Sequence, residues 1–152
     1  NMVTPVQLTK LFCRDMVENE EGAILNVAST AAFNPGPMMA IYHGTKSFLL
    51  VFSEAIAEEL RKYGISVTVV CPGRTNTGFL EHSGIDEPEA NKEEAMDPYS
   101  VANAAYDGLQ NEDVLVFPDR KDQLTTTIAQ VLPRSYVRKL TMKRELERGR
   151  ET

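Results

Sequence analysis

Two short apolar runs, Ala23-Ile24-Leu25-Asn26-Val27-Ala28 and Ile65-Ser66-Val67-Thr68-Val69-Val70, bracket one long amphipathic stretch, and that order leaves few folds open. Each run has the length of a strand and is too short for a buried helix. The second is rich in β-branched residues that fit a pleated surface. Near-continuous apolar runs of this kind belong to parallel strands buried on both faces. Between them, about Ala40 to Tyr63, the residues Phe48, Leu49, Phe52, Ala55, Ile56 and Leu60 mark one apolar helical face. A strand, a helix and a strand in that order predict a right-handed crossover in a parallel sheet.

The pattern continues on both sides. A helix is expected from Met2 to Glu18, a further helix from Pro98 to Leu109, a third strand at Val114-Leu115-Val116-Phe117, and a helix from Gln123 to Leu132. Asn34-Pro35-Gly36-Pro37 breaks the chain before the long helix, Gly64 stops that helix, and Pro72-Gly73 ends the second strand. The class is therefore α/β, a partial doubly wound parallel sheet of three strands with flanking helices and a basic C-terminal tail. A six-strand version needs roughly 200 residues, so the 152 residues are expected to be about half of a larger unit whose earlier strands lie upstream. Residues 1–133 are assigned to that half-domain and 134–152 to the tail, with Arg134, Arg138, Lys139, Lys143 and Arg144 among its basic residues.

Composition narrows the function less than the pattern narrows the fold. Sixteen basic against twenty-two acidic residues leave a net charge of −6, which disfavours a nucleic-acid partner. No apolar run reaches the roughly 20 residues of a membrane span. The segment from Glu81 to Asp97 is acidic and is expected to be a solvated loop rather than a substrate lid. The tail from Tyr136 to Arg148 is expected to pack on the parent domain rather than on a membrane. Cys13 and Cys71 are far apart, with no Cys-x-x-Cys pair, and both read as small buried hydrophobes in the reduced state.

Tyr42 and Lys46 are four residues apart at the start of the long helix, so their side chains share a face one turn apart. An ammonium beside a phenol favours the phenolate and so suits the pair to general acid/base work at neutral pH. Alone, such a pair is common. Ser29 follows the first strand, however, and Pro72-Gly73 follows the second, which puts both at the carboxyl ends of parallel strands, where open α/β sheets bind ligands. Ser29, Tyr42, Lys46 and Pro72-Gly73 are thus expected around one crevice.

Asn26-Val27-Ala28-Ser29, Tyr42-His43-Gly44-Thr45-Lys46 and Cys71-Pro72-Gly73-Arg74-Thr75-Asn76-Thr77 together resemble the C-terminal half of the short-chain dehydrogenase/reductase family, over nearly the whole chain. The resemblance implies a Rossmann-like fold and an NAD- or NADP-dependent oxidoreductase that interconverts a carbonyl and an alcohol. It implies that Ser29 holds the substrate oxygen, that Tyr42 moves the proton, and that Lys46 assists Tyr42 and holds the nicotinamide ribose. Asn1 matches an asparagine whose backbone holds a water in the family's proton relay. Pro72, Gly73 and Thr77, with Thr75 as a substitute for Thr77, match the nicotinamide pocket. The implied partner is a small-molecule carbonyl or alcohol, the implied assembly a homo-oligomer of the intact protein, and the implied location the cytoplasm.

One departure counts as much as the match. The nine glycines contain no Gly-x-x-x-Gly-x-Gly turn, so the pyrophosphate site and the residue that separates NAD from NADP are expected upstream, and the chain alone is expected to be inactive. His43 lies on a different helical face from Tyr42 and is expected to face solvent, while His82 falls in the acidic segment, where contact with substrate is open. Neither has ligand partners at metal spacing, so no metal is expected. Met38 and Met39 border the crevice as loop packing. The competing reading is a non-catalytic interaction or ligand-sensing module that retains the fold.

Overall fold

The strands Gly22–Val27 (β1) and Ile65–Val70 (β2) run side by side and parallel, with Ile24 opposite Val67 and Val27 opposite Val70. In the computed structural model, which describes residues 2–77 and 95–147, Leu115–Val116 (β3) pairs in parallel with the other side of β2, giving the order β1-β2-β3. Helices Val3–Asn19 (α1), Ala40–Arg61 (α2), Pro98–Gln110 (α3), Arg120–Val131 (α4) and Arg134–Glu147 (α5) flank the sheet. This is the expected α/β architecture, and the Ile65–Val70 strand has the expected bounds.

β2 is the buried centre. Val67, Thr68, Val69, Val70 and Cys71 are all at most 3% exposed. The one polar side chain among them, Thr68, donates to the Asp113 carbonyl at 2.8 Å, which removes the cost of an unpaired buried hydroxyl. From α2, Leu49, Leu50, Ile56 and Ala57 are buried, Leu50 packing with Val69 and Ile56 with Val67. The α2-to-β2 turn requires a glycine: Gly64 has φ +71°, and a Cβ there would stand 2.6 Å from the Glu20 carbonyl.

Several expectations are corrected. β1 is not buried on both faces: its residues alternate, with Leu25 39% and Val27 52% exposed. It is an edge strand whose outer side has no strand neighbour among the described residues, and the Met16 side chain of α1 meets it over Gly22, on the face that Gly22 shares with Ile24 and Asn26. The same arrangement leaves Leu8, Leu11 and Phe12 of α1 exposed, while Val6, Cys13 and Met16 are half-buried. Cys13 is therefore not the buried hydrophobe expected of it, whereas Cys71 is. β3 has two paired residues rather than four, because Pro118, lacking an N–H, follows close behind. α4 begins at Arg120, ahead of the expected Gln123, because the Asp119 side chain caps it by accepting from the Lys121 N–H at 2.9 Å. In the basic segment after Pro133, for which no secondary structure was expected, the chain forms helix α5 and buries Val137 and Glu145. No helix among the described residues is long and apolar enough to cross a membrane.

Candidate active site

Ser29 leaves the carboxyl end of β1 in extended conformation and caps a 3₁₀ turn, Thr30–Phe33, its hydroxyl accepting from the Ala31 N–H at 3.1 Å. The same hydroxyl donates to the Pro72 carbonyl at 3.3 Å, and the Thr30 N–H donates to that carbonyl at 3.0 Å. The turn after β2 is thereby fastened to the serine after β1. Ser29 is 8% exposed, so its hydroxyl has few orientations open to it.

Tyr42 and Lys46 project from the first turns of α2. The Lys46 ammonium stands 5.9 Å from the centre of the Tyr42 ring and donates to the Val27 carbonyl at 2.7 Å, two residues before Ser29. Burial pulls the Lys46 ammonium below its ordinary range, with the nearby Cys71 opposing it. Two further bonds fix the helix against β1 and its turn. Asn26 Nδ2 donates to Ser53 Oγ at 2.9 Å, which donates on to the Leu49 carbonyl at 2.6 Å, and the Ser47 hydroxyl donates to the Ala32 carbonyl. The register between Ser29 and the Tyr42–Lys46 pair is therefore set by side chains on both elements.

Beyond β2, Pro72, Gly73 and Thr75 are half-buried and Thr77 is exposed. Thr75 Oγ1 donates to the Gly73 carbonyl at 3.4 Å, and its backbone lies beside Met96, with Asn76 N–H donating to the Met96 carbonyl at 2.9 Å. The carboxylate of Asp122 on α4 comes up against Gly73, where a Cβ would stand 1.9 Å from Oδ2, and Asp122 is a residue that sequence reasoning missed. No spacing rule could have found it, since it lies in another element well along the chain; the acidic first turn of the helix capped by Asp119 is its only trace.

His43 is corrected as well. It is half-buried rather than solvent-facing: Nδ1 lies 2.7 Å from the Asn34 carbonyl, and its ring fills the space over Gly36, where a Cβ would stand 2.1 Å from Cδ2. It holds down the loop between the serine and the tyrosine. Asn1 and His82 lie outside the described residues, as does most of the acidic segment. No group of three His, Cys, Asp or Glu side chains that could hold a metal occurs among the described residues.

Comparison with known proteins agrees with this geometry. The profile described as short chain dehydrogenase matches residues 1–88. The chain is 27% identical over 146 residues to estradiol 17-beta-dehydrogenase 11 of Macaca fascicularis, covering 94% of this chain and 47% of that protein. It is 28% identical over 145 residues to the ketoacyl reductase HetN of a Nostoc strain, covering 91% and 50%. It superposes on a solved short-chain dehydrogenase from Sphingobium yanoikuyae in complex with NADPH with a TM-score of 0.70 at 26% identity, over 84% of this chain and 52% of that one. The chain thus spans about half the length of the curated relatives it matches. With a profile matching more than half its length, and with its serine, tyrosine and lysine held around the carboxyl ends of parallel strands, this chain belongs to the short-chain dehydrogenase family.

Proposed function

We propose that the protein is an NAD- or NADP-dependent oxidoreductase that interconverts a ketone or aldehyde and the corresponding alcohol. The observation that carries this reading is the Lys46 ammonium, held by the Val27 carbonyl two residues before Ser29 and 5.9 Å from the Tyr42 ring centre. In this reading the Ser29 hydroxyl turns its one proton from the Pro72 carbonyl, which the Thr30 N–H still holds, to the substrate oxygen and fixes its position, and Tyr42 passes a proton to that oxygen in reduction or takes it back in oxidation. Lys46 supplies the counter-charge for the phenolate that results. The bound nicotinamide supplies or accepts the hydride.

The residues present suit the nicotinamide end of such a cofactor. Lys46 offers a cation on one side, and on the other the Pro72–Gly73 turn is drawn against Ser29 by the two hydrogen bonds to the Pro72 carbonyl. Lys46, Thr75 and Thr77 would hold the ribose and carboxamide. The Sphingobium relative in complex with NADPH and the relatives named as an estradiol dehydrogenase and a ketoacyl reductase support a nicotinamide cofactor and a carbonyl or alcohol substrate. The test is Tyr42→Phe in the full-length protein: carbonyl reduction falls at least about 100-fold, with cofactor binding retained. An unchanged rate would remove the acid/base role.

A further inference from the structure

Ser29 caps the 3₁₀ turn Thr30–Phe33 at its start, and Asn34 closes it at its end. The last carbonyls of a helical turn have no partners within it, and a histidine side chain can supply one. His43 does so: its Nδ1 lies 2.7 Å from the Asn34 carbonyl, and because a carbonyl oxygen can only accept, Nδ1 carries the proton and donates. One helical turn further along α2, the Ser47 hydroxyl donates to the Ala32 carbonyl of the same 3₁₀ turn. The turn that begins at Ser29 is thus tied by two side chains to the helix that carries Tyr42. His43 is the tie next to Tyr42, and the two rings meet T-shaped with 6.0 Å between centroids.

The imidazole is seated from below. It lies so close over the buried Gly36 that a Cβ there would stand 2.1 Å from Cδ2. Gly36 also opens a tight turn, its carbonyl accepting from the Met39 N–H at 3.1 Å. With Pro37 held at negative φ and Met38 at φ +65°, this is a type II turn, whose third position favours glycine. A methionine stays there only where its surroundings over-determine the backbone. His43 meets both ends of the turn, with its ring at Gly36 and with its backbone N–H on the Met39 carbonyl at 3.0 Å.

We propose that His43 is a positioning residue for the reaction: by donating to Asn34 it closes the turn that Ser29 opens, and so fixes where the serine hydroxyl stands relative to the Tyr42 phenol. Those two groups come from different elements and must converge on one substrate oxygen. A misplacement of about 1 Å between such groups can slow a reaction about 100-fold. His43 acts through the turn, since its Nδ1 proton is engaged by Asn34 and its ring by Gly36. This inference rests on the oxidoreductase reading for the roles of Ser29 and Tyr42, but not for the contacts themselves.

The experiment compares His43→Ala, His43→Phe and His43→Asn with the wild type in the full-length protein. Phenylalanine keeps a ring over Gly36 but has no donor, whereas asparagine keeps an N–H donor bonded to Cγ, as Nδ1 is, but has no ring. The readouts are the single-turnover rate of 4-nitrobenzaldehyde reduction and the affinity for NADPH, followed by its fluorescence. In His43→Ala and His43→Phe the single turnover slows about tenfold, while NADPH binds within about twofold of wild type, because Lys46 and the Pro72–Gly73 turn keep their own contacts. In His43→Asn the rate returns to within about threefold of wild type. In ¹⁵N-histidine-labelled wild type, the Nδ1–H of His43 gives a proton resonance protected from exchange. An unslowed His43→Ala overturns the proposal, and so does a His43→Asn no faster than His43→Phe, a loss of NADPH affinity as large as the loss of rate, or the absence of the protected resonance. If the alanine variant fails to fold, the comparison of asparagine with phenylalanine decides. A failure of the oxidoreductase reading appears separately, as reduction unchanged by Tyr42→Phe.

Discussion

Raising the pH should loosen this fold through a single thiol. Cys71 ends β2, is 0% exposed and immediately precedes the turn that meets Ser29. Burial pushes its thiol up from 9.0 to about 12, with Glu54 adding to the rise and the Ser29 backbone and Lys46 opposing it. In the unfolded chain the thiol ionises near its ordinary value, whereas in the folded chain it stays protonated until far higher pH. Its contribution to stability is therefore complete below pH 9.0 and is lost as the pH climbs from there toward about 12. At about 1.4 kcal/mol per pH unit, the loss is about 1.4 kcal/mol by pH 10 and about 4 kcal/mol by pH 12. Urea unfolding at pH 7.5 and pH 10 under reducing conditions measures it, in a Cys13→Ala background so that one thiol titrates. Cys71→Ala should be less stable at neutral pH by roughly 1 kcal/mol, from lost packing, yet should not show the extra alkaline loss. Lys46, whose ammonium burial disfavours, gains stability as the pH rises toward 10.5, the opposite sign, and because Cys71 opposes that shift the comparison is made with Lys46→Met in both proteins. If the two proteins lose the same stability between the two pH values, the thiol is not held protonated by the fold and the reasoning fails.

Three further outcomes follow from the same contacts. Gly64→Ala places a side chain at φ +71° and 2.6 Å from the Glu20 carbonyl, so it should cost at least about 1 kcal/mol in urea unfolding; a neutral result would mean that the α2-to-β2 turn is not in the left-handed region. His43→Ala removes the bond to the Asn34 carbonyl and the ring over Gly36 and should cost about 1–2 kcal/mol, with protease cleavage appearing between residues 34 and 39 if that loop is released. Lys46→Met in the full-length protein should lower carbonyl reduction more than it lowers stability, because the lost ammonium serves both the Val27 carbonyl and the Tyr42 ring; equal reduction rates in variant and wild type would count against its role.

Local chemistry made much of this legible. β-Branched residues packed into Ile65–Val70 admit little besides a buried strand, and Gly64 and Pro72-Gly73 mark its ends, so β2 is readable from the chain. Tyr42 and Lys46 share a helical face whatever surrounds them, because four residues make about one turn. The serine and the Pro-Gly turn fall at strand ends that any parallel sheet brings to the same edge.

What the chain order could not supply are facts about neighbours. Whether Leu25 and Val27 are covered depends on what lies beyond the edge of β1, and a periodicity cannot report that; an alternating and a fully buried strand can carry the same six residues. His43 takes its role from a loop nine residues earlier, and the segment after Pro133 is helical because Val137 and Glu145 find cover. Asp122 meets Gly73 only because α4 returns to the end of β2. Covalent preference acts within a turn or two of the chain, while burial and close approach are set by packing between distant segments, and the exactness of this site belongs to the second.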